Sequence, residues 1–407
     1  MKRRDIIKSL SLLPFAGGIL GTLAPSESAT ALPPATKRDL FKELGVRTFI
    51  NAAGTYTFMT GSLMREEVVE AIRSSSHDFC LLDELQDKVG EKIALLTKAE
   101  SAVVTAGCFS AMTLGLAGVL TGPDPKKVEQ LPHLAGTAMK SEVIIQNGHN
   151  VGYSQALTNT GCKIVFVETI ADVEKMINEK TAMLWFLNIQ SDKGLITHEQ
   201  WVALGKKYNI PTMIDIAADV PPVSNLWKFN EMGFDLVCIS GGKAMRGPQS
   251  AGLLMGKKDL IAAARLSMPP RGSTIGRGMK VNKEEVIGMY VALEHYLKYD
   301  HEKEWKEWEG RIATIENAIK NINGITTEVK VPVLGNVTPT LHVTWDSSKI
   351  KITTKELQER LRNGNPSIEI VGNDEGHISI TSWVMKAGEE KIVAKRLKEE
   401  LAKSAVS

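Results

Sequence analysis

The sequence predicts an α/β fold with a mainly parallel, seven-stranded sheet and a smaller C-terminal α+β domain. Between Ser101 and Gly256, short apolar runs alternate with amphipathic segments, which is typical of a sheet buried on both faces. The second observation is a long, charged helical pattern over residues 284–322, which leads into a further group of short strands. The predicted strands of the main sheet are 102–105, 142–146, 163–167, 182–187, 211–215, 235–240 and 252–255.

The sequence predicts that the chain is divided into four segments. We predict a signal peptide at 1–31, an N-terminal arm with helices at 32–95, a large domain at 96–285, and a linking helix with the small domain at 286–407. In the small domain we expect strands at 326–331, 340–344, 367–371 and 377–383, and helices from Thr353 and Gly388. The 407 residues carry a net charge of only +2, so the composition predicts no nucleic-acid partner.

The first 31 residues resemble a twin-arginine export signal. Arg3 and Arg4 precede an apolar run at 10–23, and Ala29-Thr30-Ala31 supplies a small-residue cleavage site. The run is too short and too rich in glycine for a stable membrane span. We therefore expect export to the periplasm by the twin-arginine machinery. The alternative is an ordinary basic terminus or an uncleaved anchor, with a cytoplasmic location if the signal does not function.

The four cysteines indicate no metal site. Cys80, Cys108, Cys162 and Cys238 lack CxxC spacing and nearby histidine pairs, so zinc is not expected. Cys162 and Cys238 lie in or beside apolar strands, and we expect both to be buried free thiols.

A lysine directly follows one predicted strand. The apolar run 235–240 stops at Ser240-Gly241-Gly242, which indicates a buried strand ending in a turn, and Lys243 comes next. At the mouth of a buried sheet, partial desolvation would make its amine available for Schiff-base formation. The alternative is a lysine that points into solvent.

An acid ends another predicted strand. Asp215 closes the run 211–215, where a buried carboxylate is costly without a partner. The ring nitrogen of pyridoxal 5'-phosphate (PLP) would be such a partner, because a neighbouring carboxylate keeps it protonated and the ring then accepts electrons from the substrate. Ala217 would lie against one face of that ring. The alternative for Asp215 is a helix N-cap.

Two other strand ends supply further candidates. Gly107 opens a helical pattern that continues to Leu116, and the free amide groups and dipole of such a helix favour a phosphate. His149 follows the strand 142–146 and is placed to stack on the cofactor ring opposite Ala217, although a histidine hydrogen-bonded within a loop is the alternative. Asp192 is either a polar neighbour of the site or a solvated loop residue.

A loop of small residues at 51–56 precedes these strands. Gly54 would permit close approach of the backbone to a ligand or a neighbouring subunit, and Thr55 would then contact the substrate. A plain turn is the alternative.

The stretch from Ser240 to Lys243, followed by Gly247-Pro248-Gln249, resembles the lysine signature of the bacterial selenocysteine synthase (L-seryl-tRNA selenium transferase) family. It looks closer still to the metabolic relatives of that family, of the glucosaminate-phosphate ammonia-lyase type, and this similarity extends from Phe41 to about Leu401. The resemblance implies the fold-type I fold of PLP-dependent transferases. The tRNA substrate is not expected, because Gly242 stands where that family usually has aspartate and its tRNA-binding N-terminal region has no counterpart.

The resemblance also implies roles for individual residues. Lys243 would hold PLP covalently, Asp215 would pair with the ring nitrogen and His149 would stack on the ring. The phosphate would be held by Gly107, Cys108, Ser110 and Ser240, with Arg246 or Gln249 nearby. Arg271 or Arg277 would hold a substrate carboxylate, or else lie at the surface or a subunit contact.

The expected activity is elimination of a β-substituent or of ammonia from a small amino acid or amino sugar acid, with Lys243 as the base that removes the α-proton. Alternatives on the same cofactor are seleno- or thiol transfer, racemisation and transamination. A non-catalytic periplasmic protein that binds an amino compound is the alternative from another class. We expect at least a homodimer, because fold-type I sites are usually completed by a neighbour, and the loop 51–56 is a candidate contributor.

Overall fold

The structure is a computed structural model that describes residues 38–372 and 377–406. The signal predicted at 1–31 lies outside the described residues. Residues 38–48 form a small unit of their own. It contains helix α1 (Leu40–Glu43), whose first turn is capped by the Asp39 side chain through a 3.1 Å hydrogen bond from the Lys42 amide.

The second unit, residues 49–407, contains a seven-stranded sheet. Its strands, in the order in which they lie side by side, are β2 (Ser101–Thr105), β8 (Gly252–Gly256), β7 (Leu236–Ser240), β6 (Thr212–Asp215), β5 (Thr181–Leu187), β3 (Glu142–Gln146) and β4 (Lys163–Val167). β8 pairs antiparallel with both of its neighbours, β2 and β7, and the other pairs in the sheet are parallel. The predicted seven-stranded, mainly parallel sheet is therefore confirmed.

The sheet is buried on both faces because successive side chains of its apolar strands point to opposite sides. Every residue of β5 is buried. Trp185 packs into one hydrophobic cluster with Met213 and Leu236, whereas Phe186 packs into the other with Ile214 and Val237. These two clusters hold the strand ends in fixed positions.

Among the described residues, nine helices of this unit lie before, between and after the strands of the sheet, and several of them pack on its faces. They are α2 (Glu66–Ser75), α3 (Leu82–Thr97), α4 (Gly107–Thr121), α5 (Pro125–Gln130), α6 (Gln155–Thr158), α7 (Ile170–Met176), α8 (His198–Tyr208), α9 (Asn225–Met232) and α10 (Lys258–Leu266). Helix α4 is apolar all round and nearly all buried, as expected for a helix enclosed between the sheet and other helices.

The single long helix predicted at 284–322 is wrong. The chain forms α11 (Lys283–Lys298) and α12 (His301–Ile319), separated by Tyr299 and Asp300. The Asp300 side chain accepts a 2.9 Å hydrogen bond from the Lys303 amide, and this cap starts a new helix. The residues on both sides of the break are charged and favour helix, so the helical periodicity of the sequence continues through it.

The C-terminal part forms a second, smaller layer, as predicted. A four-stranded antiparallel sheet has the order β12 (Val371–Gly372), β13 (His377–Thr381), β10 (Thr340–Trp345) and β9 (Ile325–Lys330), and it packs against α12, α13 (Thr354–Arg362) and α14 (Glu389–Lys403). The predicted strand 367–371 is divided, because β11 (Ser367–Glu369) pairs instead with β1 (Phe49–Asn51) in a parallel two-stranded sheet. Residues 49–51 thus join the small core, with Ile50 beside Ile368.

Two further findings concern membranes and metals. No helix in the described part of the chain is long and apolar enough to cross a membrane. Within residues 38–372 and 377–406, no three or more histidine, cysteine, aspartate or glutamate side chains are grouped as a metal site would require. Cys162 and Cys238 are buried free thiols, as predicted, whereas Cys80 is exposed.

Candidate active site

A cavity of about 590 Å³ opens at the carboxyl ends of the parallel strands, where ligands bind in open α/β sheets. Four strand ends and two loops line it. The lining residues include Ala106–Phe109 after β2, Leu187 and Ile189 after β5, Asp215 and Ala217–Asp219 after β6, Ser240, Lys243, Gln249 and Ser250 after β7, Thr55–Thr57, and Asn336. Much of the predicted site is thus assembled around one cavity.

Asp215 is held at the end of β6 with little exposure to solvent. It is 3% exposed, and its Oδ1 accepts hydrogen bonds from the Ala217 amide at 2.8 Å and from the Cys108 thiol at 3.3 Å. Burial raises the pKa of the Asp215 carboxyl, and these two hydrogen bonds and the charge of Lys243 offset that only in part. Within the described chain, Oδ2 accepts no hydrogen bond. The site therefore favours a cationic donor beside Asp215.

Lys243 has a fixed backbone and an amine that is free to react. Its carbonyl accepts hydrogen bonds from the Ser62 hydroxyl at 2.7 Å and from the Arg246 amide at 3.0 Å. A Cβ on Gly242 would lie 2.4 Å from the Gln249 Cα, so the turn that carries Lys243 can pack this closely only with glycine there. The Nζ atom forms no hydrogen bond or ion pair with any residue that the structure describes.

The N-terminus of α4 borders the same cavity. The helix starts at Gly107, whose φ is +82°, and the preceding Ala106 offers no side-chain cap to the first-turn amides. A Cβ on Gly252 of β8 would lie 2.7 Å from the Cys108 nitrogen, so strand and helix start are in close contact. An uncapped helix N-terminus is a site for an anion such as a phosphate.

These three features fit PLP. The cofactor combines an aldehyde for an amine, a ring nitrogen for a carboxylate and a phosphate for a helix N-terminus. Lys243, Asp215 and the start of α4 present those partners around one cavity. Among the residues that line it, Lys243 is the only cation in the described chain, and Asp215 and Asp219 are the carboxylates.

The structure gives Cys108 a different contact from the one expected. Its thiol donates to Asp215 Oδ1 rather than turning towards the helix start as a phosphate donor would. The backbone of Gly107 and Cys108 remains at the cavity wall. Ser240, Ala217, Gln249 and Thr55 also line the cavity, whereas Ser110 lies further along α4 and does not.

His149 is not placed to stack on a ring in the cavity. It is fully buried, does not line the cavity, and packs edge-on against Phe186 with ring centroids 4.5 Å apart. Its Nδ1 accepts a 3.2 Å hydrogen bond from the Leu187 amide. Burial, with a smaller effect of His198, lowers the pKa of His149 to about 4. His149 does not reach the cavity because the turn after β3 directs its ring against Phe186 and Leu187 of β5.

The candidate arginines also lie away from the cavity. Arg246 donates a 2.6 Å hydrogen bond from Nη2 to the Trp383 carbonyl, and Arg271 forms a 3.3 Å ion pair with Asp83. Arg277 is exposed and does not line the cavity. Asp192 is a solvated loop residue that pairs with Lys193 at 3.0 Å. Arg246 and Arg271 are each directed by a distant partner that the local sequence does not reveal.

Asp219 and Asn336 are among the lining residues that the sequence analysis missed. Asp219 lies four residues after Asp215, and a second acid so close to a strand end was an available signal. Asn336 comes from the small domain. Its amide donates a 2.7 Å hydrogen bond to the Ala218 carbonyl, and its Oδ1 lies 3.4 Å from the Thr55 hydroxyl. No local pattern marks Asn336, because tertiary packing alone brings its loop to the cavity.

Comparisons with known proteins agree with this site. Residues 140–338 match the family described as Aminotransferase class-V. D-glucosaminate-6-phosphate ammonia lyase of Salmonella typhimurium is 27% identical over 89% of this chain and 97% of its own length. An L-seryl-tRNA(Sec) selenium transferase of Clostridium botulinum is 25% identical over 82% of this chain and 79% of its own length.

Solved structures give the same fold. The structure of a D-glucosaminate-6-phosphate ammonia-lyase superposes with a TM-score of 0.80 at 26% identity, covering 91% of this chain and all of the other. A serine palmitoyltransferase with its PLP internal aldimine, at 13% identity, has a TM-score of 0.55 and covers 88% of each chain. The protein is therefore a PLP-dependent enzyme of fold type I. More narrowly, residues 140–338 resemble the aminotransferase class-V family, and the similar proteins include ammonia lyases and selenocysteine synthases, as the sequence predicted.

Proposed function

We propose that the protein eliminates a β-substituent or ammonia from a small amino acid or amino sugar acid. The observation that carries the proposal is the shared cavity of Lys243, Asp215 and the uncapped start of α4. The similarity to an ammonia lyase for a phosphorylated amino sugar acid favours elimination over transamination, for which the same residues would also serve.

The residues divide the work as follows. When bound, PLP supplies an electron-accepting ring for the carbanion that forms at the substrate α-carbon. Asp215 would hold a proton on the ring nitrogen, and Lys243 would hold the cofactor covalently. When it is not bonded to the cofactor, the Nζ of Lys243 would remove the α-proton of the substrate. Apolar neighbours of Asp215, such as Met112 and Leu187, limit water around these groups.

The test starts with the purified protein. We expect an absorbance band from the cofactor bound to Lys243, which borohydride removes by reducing the carbon–nitrogen bond. Incubation with a panel of β-substituted amino acids and amino sugar acids should release ammonia and a keto acid in equal amounts. Keto-acid formation that depends on an added keto-acid acceptor, without ammonia, would instead identify an aminotransferase. A protein that binds the panel but converts none of it would be a binding protein.

We further propose that the active form is a homodimer. Supporting this, several large apolar side chains are exposed in the stretch that leads from the cavity loop into α2 and α3, including Phe58 at 78%, Leu81 at 73% and the fully exposed Phe79. Light scattering after size-exclusion chromatography should give twice the mass of one chain. A monomer that retains full activity would contradict this proposal.

We also propose that residues 1–31 direct twin-arginine export. The support is the paired Arg3 and Arg4 ahead of a short apolar run. Fused to a reporter that folds before export, this segment should carry the reporter to the periplasm, and the double change Arg3→Lys with Arg4→Lys should retain it in the cytoplasm. Retention of the unaltered fusion would overturn the proposal.

A further inference from the structure

Asp219 is a buried carboxyl in the cavity wall with unused hydrogen-bonding capacity. It is 3% exposed and lines the cavity, and its Oδ1 is buried without a hydrogen-bond partner in the part of the chain that the structure describes. Buried polar atoms in native proteins are nearly always paired with protein, water or ligand. An unpaired carboxyl oxygen here indicates a group that acts on a ligand.

The backbone of Asp219 is firmly placed, so this position is not an accident of a loose loop. Its carbonyl accepts a 2.6 Å hydrogen bond from the Asn225 side chain, and its amide donates to the Ile216 carbonyl at 3.1 Å. Gly335 of the small domain covers the carboxyl, since a Cβ there would lie 3.7 Å from Asp219 Oδ1. The carboxyl is thus enclosed between β6, the end of β5 and the small domain.

The surroundings favour the protonated acid. Burial is the main cause that raises the pKa of Asp219 to about 6, and the charge of Asp215 acts in the same direction. The Asn188 side chain, the charge of Lys243 and the Gly335 amide oppose it. The Asn188 Oδ1 is itself bonded to His198 Nε2 at 2.7 Å. Asp215 and Lys243 are the charged lining groups that face this part of the described cavity. A carboxyl titrating near 6 can deliver a proton close to neutral pH.

Asp219 is also the one lining carboxyl in the described chain to which the proposed function gives no task. Asp215 serves the ring nitrogen and Lys243 takes the α-proton. A hydroxyl on the β-carbon still lacks an acid, because hydroxide is a poor leaving group unless it is protonated as it departs.

We propose that Asp219 is the catalytic acid that protonates the leaving group when that group is a β-hydroxyl. The Cβ–O bond breaks, its electron pair stays on oxygen, and that oxygen takes the Asp219 proton and leaves as water. The pair freed at the α-carbon, after Lys243 takes the α-proton, forms the Cα–Cβ double bond. Asp219 is reprotonated from solvent, and Lys243 returns its proton to solvent. This inference rests on the proposed elimination function.

The test compares two leaving groups in the holoenzyme. Serine of both configurations, threonine and D-glucosaminate carry a β-hydroxyl, whereas β-chloroalanine loses chloride, which needs no proton. Asp219→Asn keeps the shape and removes the proton. We expect it to lower kcat for hydroxyl substrates by about 10²–10⁴-fold and to change keto-acid release from β-chloroalanine less than threefold. Asp192→Asn is the matched control, because that carboxylate is exposed.

Two measurements separate this inference from the proposed function. Exchange of the α-hydrogen in D₂O, followed by NMR, reports Lys243 and the cofactor and should persist in Asp219→Asn, as should cofactor affinity and the circular dichroism of the fold. If unaltered protein shows neither exchange nor elimination, the proposed function fails. If it exchanges the α-hydrogen and eliminates chloride but no hydroxyl, or if Asp219→Asn slows both leaving groups equally, the role of Asp219 is overturned.

The pH profile gives an independent readout. Because the acid must be protonated, kcat for the hydroxyl substrates should fall as pH rises through the pKa of Asp219. That limb should be absent with β-chloroalanine and in Asp219→Asn. The same limb for both leaving groups would assign it to Asp215 or Lys243 and contradict the inference. Asp219→Glu, which keeps the acid, should recover part of the hydroxyl activity.

Discussion

The ends of β3 and β6 have similar sequence patterns, but the buried polar groups at the two ends are paired differently. Each apolar strand has a buried, ionisable side chain at its end or within a few residues of it: His149 follows β3, Asp215 is the last residue of β6, and Asp219 follows β6. After β3, the protein satisfies its own polar groups: His149 accepts from the Leu187 amide, and the Gln146 side chain bonds both the amide and the carbonyl of Ile196. After β6, one carboxyl oxygen each of Asp215 and Asp219 is left without a hydrogen-bond donor among the residues that the structure describes.

The difference shows how to separate structural from functional polar residues. A buried group whose hydrogen bonds are complete stabilises the fold and offers little to a ligand. A buried group that is fixed in place but lacks a hydrogen-bond partner destabilises the folded state, and a ligand that bonds to it removes this destabilisation. On this criterion we expect the polar groups at the end of β6 to act on a ligand and those at the end of β3 to stabilise the fold.

The largest expected effect comes from Lys243→Ala. It should abolish borohydride-stable attachment of the cofactor and reduce turnover at least as far as the loss of a general base, about 10²–10⁴-fold. Intact-mass measurement after borohydride treatment checks the attachment. Lys280→Ala is the control, because Lys280 is exposed and away from the cavity. Covalent cofactor remaining in Lys243→Ala would move the site to another lysine.

Asp215→Asn should come next. An amide keeps the hydrogen bond from the Ala217 amide but holds no proton on a ring nitrogen, so turnover should fall by about 10²–10³-fold while the cofactor stays attached to Lys243. Steady-state kinetics normalised to cofactor content is the measurement. If turnover stays within a few-fold of that of the unaltered enzyme, the proposed role of Asp215 at the ring nitrogen is contradicted.

His149→Leu tests whether the buried histidine at the end of β3 stabilises the fold. It leaves the buried Leu187 amide without an acceptor, so the free energy of unfolding should fall by about 1–3 kcal/mol, with cofactor affinity nearly unchanged. Denaturation and cofactor titration measure the two effects, and His133→Leu at an exposed position is the control. Loss of cofactor affinity at unchanged stability would restore the stacking role predicted from the sequence.

The last prediction concerns the pH dependence of stability. The folded pKa of His149, about 4, lies below its ordinary 6.5, so the native protein favours the neutral ring. This contribution to stability is complete above pH 6.5 and is lost as pH falls towards 4, by at most about 1.4 kcal/mol per pH unit. Unfolding midpoints should fall more steeply over this range in the unaltered protein than in His149→Leu. Parallel curves would show that His149 does not titrate this way.

The sequence predicted the sheet well because its strands are long apolar runs that are enclosed on both faces. It predicted Lys243, Asp215 and Gly107 for a related reason: residues directly after such strands meet at one edge, whatever the rest of the chain does. The break between α11 and α12 escaped because charged residues continue the helical pattern through Tyr299 and Asp300.

The remaining errors concern side chains whose direction is set by distant partners. Arg246 follows Lys243 by three residues, but its guanidinium bonds the carbonyl of Trp383, and Arg271 turns to Asp83. Asn336 reaches the cavity only because the small domain packs there. Such contacts depend on the assembled core, and a single sequence carries no local trace of them.

The hydrogen bond from the Asn336 amide to the Ala218 carbonyl places one wall of the cavity on the small domain. Lys243 and Asp215, which would hold the cofactor, and Asn336 are therefore encoded in separate stretches of the chain, although all three line one cavity. We expect a change of the loop around Asn336 to alter which molecule is accepted and to leave Lys243 and Asp215 in place. With this arrangement, we expect related proteins to differ in substrate through the loop around Asn336 while they keep the same reactive residues.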